Sequence, residues 1–142
     1  STELISLETL TADETLQQQL KCLSTDEVYK VVRLRLVDDI PYAIETSHYL
    51  KKYVKYLNTE IVLGSIFDYI QNVLSLSIGF ADKVIEARSL STEESLLLNQ
   101  KEGAPTLVTS DTVYLSSGQI FDYSTNVYNA EYVKFFDLAL FK

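Results

Sequence analysis

The chain has no methionine and no tryptophan, one cysteine, one histidine, two prolines and four glycines among its 142 residues. A lone Cys22 excludes an intramolecular disulfide and any cysteine-cluster metal site. With His48 as the single histidine, neither an all-protein zinc site nor a Ser-His-Asp triad is readily assembled, so we expect no metal and no cofactor. The scarce glycines form no GxGxxG or GxxxxGK[ST] stretch, which argues against a nucleotide-binding α/β fold. No apolar run approaches the roughly 20 residues of a membrane span, and no signal-peptide pattern opens the chain. The expectation is a cytoplasmic protein with no membrane partner. Positive charge is also short, with 12 Lys and Arg against 20 Asp and Glu, a net charge of −8. Such a surface repels phosphate backbones, so DNA would be reached only through another domain. The abrupt Ser-Thr-Glu start leads us to expect a domain cut from a longer protein.

What is present is globular. Apolar residues make up 46% of the chain, with ten Tyr and six Phe. No linker, repeat or charge block divides it, so residues 1–142 are expected to form one domain. Leu4 to Leu7 suggests a first strand. Thr11 and Glu14 have capping-box spacing before Leu16, Leu20 and Leu23, one helical face. Val28 to Val37 alternates as a strand, and Leu50 to Leu63 holds a short helix or turn. Ser65 caps a helix bearing Ile66, Phe67, Ile70, Val73 and Leu74. Strand character returns at Gly79 to Leu90, Ser91 and Glu94 cap another helix, and Gly103 suits its exit. Pro105 to Leu115 and Ile120 to Tyr128 flank a Ser117-Gly118 turn, and Phe135 to Phe141 reads as a closing strand. The order indicates an α+β fold with a mainly antiparallel sheet.

The most informative stretch is Val31 to Tyr49, a hairpin turning at Asp38-Asp39. Arg33 and Arg35 are two apart in a strand and share one face, with Val32, Leu34 and Leu36 on the other. Their bland reading is a solvated face with aliphatic stems. Their functional reading is a bidentate clamp on a phosphate or carboxylate. A plain two-residue turn would oppose Arg33 to Ile44 and send Glu45 to the other face. A bulge near Ile40-Pro41, where proline has no N–H to pair, would return Glu45 to the arginine face.

The string RLRLVDDIPYAIETSHYL, followed by Gly64-Ser65-Ile66-Phe67 and then LVTSDTVYLSSGQIFDYSTNVY, resembles the ordered signatures of the UTRA domain. That domain is the effector-sensing half of HutC-type GntR-family transcription regulators. The resemblance covers the chain from about residue 2. It implies a chorismate-lyase-like fold in which sheet and helices enclose a small-molecule pocket. It also implies a homodimer, and an N-terminal winged helix-turn-helix absent from this sequence through which alone DNA would be bound.

By the same resemblance, Arg33 and Arg35 would hold the phosphate of a phosphorylated sugar or another small anion. Ser65 would offer its hydroxyl and a helix N-terminus, and Glu45 would hydrogen-bond sugar hydroxyls. Phe67 stands where the family has Tyr, Asp122 where it commonly has Glu, and Tyr128 matches a pocket tyrosine. Asp39, Asn129 and Glu131 replace the family's Gly, Arg and Asp. For Ser65, a plain cap, and for Phe67 and Tyr128, a plain core aromatic, are the competing readings. Two rival functions share the frame: a small lyase acting on an anionic aromatic, and an interaction module without a ligand.

Overall fold

Ten elements follow one another in the computed structural model, which describes residues 1–141. They are β1 (Thr2–Thr11), α1 (Glu14–Leu20), β2 (Glu27–Val37), β3 (Ile40–Leu50), α2 (Thr59–Leu63), α3 (Ile66–Asn72), β4 (Ile78–Ser89), α4 (Thr92–Leu97), β5 (Pro105–Leu115) and β6 (Ile120–Tyr128). The strands form one sheet in the order β1-β2-β3-β6-β5-β4, with every neighbouring pair antiparallel. The expected α+β class is the one observed.

Period-two alternation divides the strand side chains between two faces. On one face Tyr29, Val31, Tyr49, Val113 and Phe121 pack against Val54, Leu57, Val62, Ile66 and Ile70, from α2, α3 and the chain leading to them. On the other, Leu34, Ile44, Val108 and Val127 meet Leu90 and Leu98 beside α4. Val28, Leu50 and Ile120 meet Ala12 and, from α1, Leu16 and Leu20 on that same face. Apolar residues are thus on both sides of the central strands.

The helix ends show which local signals prevail. Ser65 caps α3 by accepting from Asp68 N, and Ser91 with Glu94 completes a reciprocal capping box on α4. Thr11 does not cap α1, because it still pairs with Glu27 at the end of β1; Asp13 takes the role and accepts from Leu16 N. The first strand is accordingly ten residues rather than the four expected. Leu23 falls past the helix and is exposed. Gly103 does not close α4 either: Asn99 is the left-handed residue (φ 53°) just beyond that helix, and Gly103 (φ 78°) turns the chain toward β5.

The closing strand expected over Phe135 to Phe141 is not formed. Residues 133–141 carry no regular structure, and Phe136, Leu138 and Leu140 are 92%, 71% and 85% exposed. A strand exists only by pairing, and within one chain this segment pairs with neither edge of the sheet.

Candidate functional site

Between the sheet and the α2–α3 connection lies a cavity of about 690 Å³. Its shape depends on the turn at Asp38-Asp39, where both residues take positive φ (51° and 63°), the geometry that suits a two-residue hairpin. One step beyond, the register shifts: Leu36 pairs with Pro41 but Arg35 pairs with Ala43, leaving Tyr42 as the extra residue of a bulge. The shift sets Glu45 directly opposite Arg33 and on the arginine face.

The two arginines, equivalent by pattern, are in different states. Arg33 is 6% exposed and its guanidinium is occupied: Nε and Nη2 donate to Glu45 Oε1, while Nη1 donates to the backbone carbonyls of Val62 and Gly64 at 3.0 and 3.1 Å. It therefore bolts the sheet to the end of α2 and fixes the chain that delivers Ser65. Arg35 has a side chain 35% exposed, a loose 3.6 Å approach to Glu45 Oε2, and a buried Nε with no partner.

The other cation facing the cavity is Lys83 of β4, whose Nζ is within 2.9 Å of both carboxylate oxygens of Asp111 on β5. The fully buried Asp122 faces the same space. Its Oδ1 accepts from Ser124 Oγ at 2.6 Å, Ser124 Oγ lies 2.8 Å from Ser47 Oγ and can accept from that hydroxyl, and Asp122 Oδ2 has no partner. Burial pushes the Asp122 carboxyl up to about 8, with Glu45 and Asp111 adding to the rise and the Ser124 hydrogen bond opposing it. Tyr49, opposite Asp122 in the sheet, is held as a neutral phenol by burial and by that neighbouring acid.

Glu45 is thus matched by Arg33 and Asp111 by Lys83, while Asp122 holds its proton at neutral pH. One positive charge is left over, at Arg35. In a chain of net charge −8 this cavity is locally cationic.

Of the residues singled out from sequence, Arg33, Arg35, Glu45, Ser65, Phe67 and Asp122 all border the cavity. Phe67 is 40% exposed and its ring lies 6.3 Å from that of Phe121. Tyr128 is not among them. It lies farther along β6, edge-on to Phe135 and bordering a separate hollow with Tyr42 and Tyr132. Asn129 is fully buried and structural, its Nδ2 donating to the carbonyls of Pro41 and Leu98. Sequence reading missed Ser47, Ser124, Lys83 and Asp111 as cavity residues. For Ser47 the signal was available, since it lies two residues from Glu45 and so on its face. Lys83 and Asp111 required knowledge that β4 pairs with β5 in that register.

The sequence model of the UTRA domain family matches residues 1–134. An uncharacterized HTH-type transcriptional regulator of Bacillus subtilis, YydK, is 40% identical over 110 residues, covering 78% of this chain and 47% of its own. The HTH-type transcriptional repressor NagR of the same organism is 34% identical over 128 residues, 90% of this chain and 53% of its own. The crystal structure of YydK superposes with a TM-score of 0.94 at 34% identity, covering 98% of this chain and 61% of that one. The effector binding domain of the B. subtilis trehalose repressor, TreR, gives 0.87 at 27% identity, covering 99% and 98%. The chain spans about half the length of the curated relatives it matches. No described helix is long and apolar enough to cross a membrane.

Proposed function

The chain belongs to the UTRA domain family, and from that premise we propose that it is the effector-sensing unit of a GntR-type, HutC-like transcription regulator, cytoplasmic, homodimeric and without enzymatic activity of its own. DNA contact is made by a winged helix-turn-helix outside this sequence. The effector is a small anion, best a phosphorylated sugar.

The observation that carries this reading is the loosely paired cation at Arg35, whose buried Nε has no acceptor. A buried donor without an acceptor costs on the order of 1–3 kcal/mol, and an arriving phosphate oxygen removes that cost. Ser65 Oγ, occupied only as an acceptor from Asp68 N, retains its hydroxyl hydrogen for the same anion. Arg33 supports the site without touching the anion. It fixes Glu45 and the Gly64 carbonyl, so the clamp read from sequence divides into one binding and one positioning arginine. The polar floor of Ser47, Ser124, Asn126 and protonated Asp122 suits the hydroxyls of a sugar ring, with Asp122 Oδ2 donating to a ligand acceptor. Phe67 and Phe121 supply an apolar flank.

An effector shifts operator affinity only by binding one arrangement of the dimer more tightly than the other. Release of DNA on binding, as in a repressor, is the outcome we assign. Thermal melting of the domain with glucose 6-phosphate and glucosamine 6-phosphate tests the reading against the unphosphorylated sugars. A sugar phosphate should raise Tm and its parent sugar should not, and Arg35→Ala should abolish the rise. An Arg35→Ala protein that keeps the full shift refutes the anion site.

A further inference from the structure

The cavity extends beyond the groups assigned to an anion and one sugar ring. Arg35 on β2 and Lys83 on β4 both border it, and β3, β6 and β5 lie between their strands. Four strand-to-strand steps of about 4.8 Å put β2 and β4 roughly 19 Å apart along the sheet. The groups assigned above, Arg35, Ser65, Ser47, Ser124 and Asn126, come from β2, β3, β6 and the cap of α3. A single phosphorylated ring with its phosphate at Arg35 therefore ends over β6. The floor continues for two more strands. Ser124 pairs with Asp111, which pairs with Lys83, and Asp122 pairs with Val113, which pairs with Ala81.

We propose that this outer end, lined by Ala81, Lys83, Asp111 and Val113, is a second subsite that takes the second ring of a phosphorylated disaccharide. The inference rests on the anion site proposed above and extends it across β5 and β4. The boundary between the two halves is Asp122, which is 1% exposed and whose Oδ2 has no hydrogen-bond partner on the protein. A buried oxygen of this kind calls for a ligand group beside it, at the point where one ring gives way to the next.

The chemistry of the outer end selects a sugar ring over other groups. Lys83 Nζ lies 2.8 Å from Asp111 Oδ1 and 2.9 Å from Oδ2. An ammonium with a donor to spare thus stands beside a carboxylate with lone pairs to spare. Neighbouring hydroxyls of a pyranose both donate and accept, so one donates to Asp111 while the next accepts from Lys83. The pair is neutral as a whole, which gives a second phosphate no net attraction. An aromatic group laid over it would take both ions out of water without replacing their hydrogen bonds, at a net cost. In the next row Ala81 and Val113 are small and apolar, which leaves room for the C–H face of the ring.

The test is isothermal titration calorimetry of the 142-residue chain with glucose 6-phosphate, trehalose 6-phosphate, sucrose 6-phosphate and cellobiose 6′-phosphate. At least one disaccharide phosphate should bind about tenfold tighter than glucose 6-phosphate, or better, because only it satisfies the outer donors and acceptors. Lys83→Ala/Asp111→Ala removes the pair together and strands neither charge. It should bring that disaccharide phosphate down to the affinity of glucose 6-phosphate, which does not reach the pair and whose Kd should hold. Ala81→Trp, made at an exposed position, fills the outer end and should act in the same way. If none of the four phosphates binds, the anion site falls and this inference with it. If glucose 6-phosphate binds and no disaccharide phosphate binds tighter, the anion site stands and the second subsite is overturned. A disaccharide phosphate that keeps its advantage in both variants overturns the subsite, as does an equal loss for glucose 6-phosphate.

Discussion

The cavity has two walls made of similar alternating strands, and they are held in opposite ways. The inner wall, β2, β3 and β6, carries apolar packing on both faces of the sheet, and its Arg33 and Glu45 are locked into one another. The outer wall, β4, is exposed after Ile78 and is held through its ladder to β5, the Lys83–Asp111 pair and the stacking of Phe80 on Tyr114. Even its closest approach is backbone on backbone: a Cβ on Gly79 would come within 2.9 Å of Ser116 Cα. The contrast teaches that binding charge and structural charge need not be told apart by residue type. What separates them is how many of their hydrogen bonds the fold has already used.

The contrast breaks most visibly at Arg33. Its removal strands Glu45 beside the sheet and leaves the carbonyls of Val62 and Gly64 without their donor. Breaking such a buried pair from one side costs on the order of 3–5 kcal/mol. Arg33→Ala should therefore lower the midpoint of urea unfolding sharply, with the same slope. Arg33→Ala/Glu45→Ala should recover part of the loss, because the orphaned carboxylate goes with it. A single variant within 1 kcal/mol of the parent, roughly the scale of an exposed pair, would place Arg33 outside the structural group.

Asp122 gives the second test of the inner wall, through pH. Its carboxyl titrates at about 8 in the folded chain against a reference of 3.8. Below about pH 4 folded and unfolded chains both hold the proton. Between about 4 and 8 only the folded chain does, so raising pH draws the equilibrium toward unfolding. Stability should fall over that interval by at most ~1.4 kcal/mol per pH unit and level off above it. Asp122→Asn should flatten the profile in this window. Glu94 supplies a separate acid limb at the other end: the Arg88 hydrogen bonds hold it down to about 2, so its contribution is lost as pH falls toward that value.

Much of the inner wall was legible in the sequence because it obeys local rules. Strand parity put Arg33 with Arg35, proline after the turn marked the bulge, and Ser65 sat at capping distance from Asp68. The fold class followed from the order of such segments. What could not be read depends on pairing between distant strands. Nothing near Lys83 announces Asp111, and nothing near Arg33 announces the carbonyl of Val62. Tyr128 was assigned to the cavity by resemblance, yet its place along β6 carries it past that space. The capping box at Thr11 failed for another reason: a strand ladder to Glu27 outbid a local side-chain bond. The closing strand was legible as a pattern, but a strand needs a partner as well as a pattern, and residues 133–141 pair with neither edge of the sheet.

The smallest stability effect should come from Arg35, and its smallness is informative. Arg35 shares a strand, a face and a carboxylate with Arg33, but its pairing to Glu45 is long and one-third of its side chain meets solvent. Exposed or loosely paired ions contribute about 0–1 kcal/mol. Arg35→Ala also removes a buried Nε that nothing satisfies, a term of opposite sign. The two should nearly cancel, leaving the unliganded Tm of Arg35→Ala close to that of the parent while Arg33→Ala melts far below both. If Arg35→Ala proves as damaging as Arg33→Ala, the two arginines form one structural unit and neither is free for an anion. If it is neutral without ligand and deficient with a sugar phosphate, the residue that the fold leaves unsatisfied is the one the effector uses.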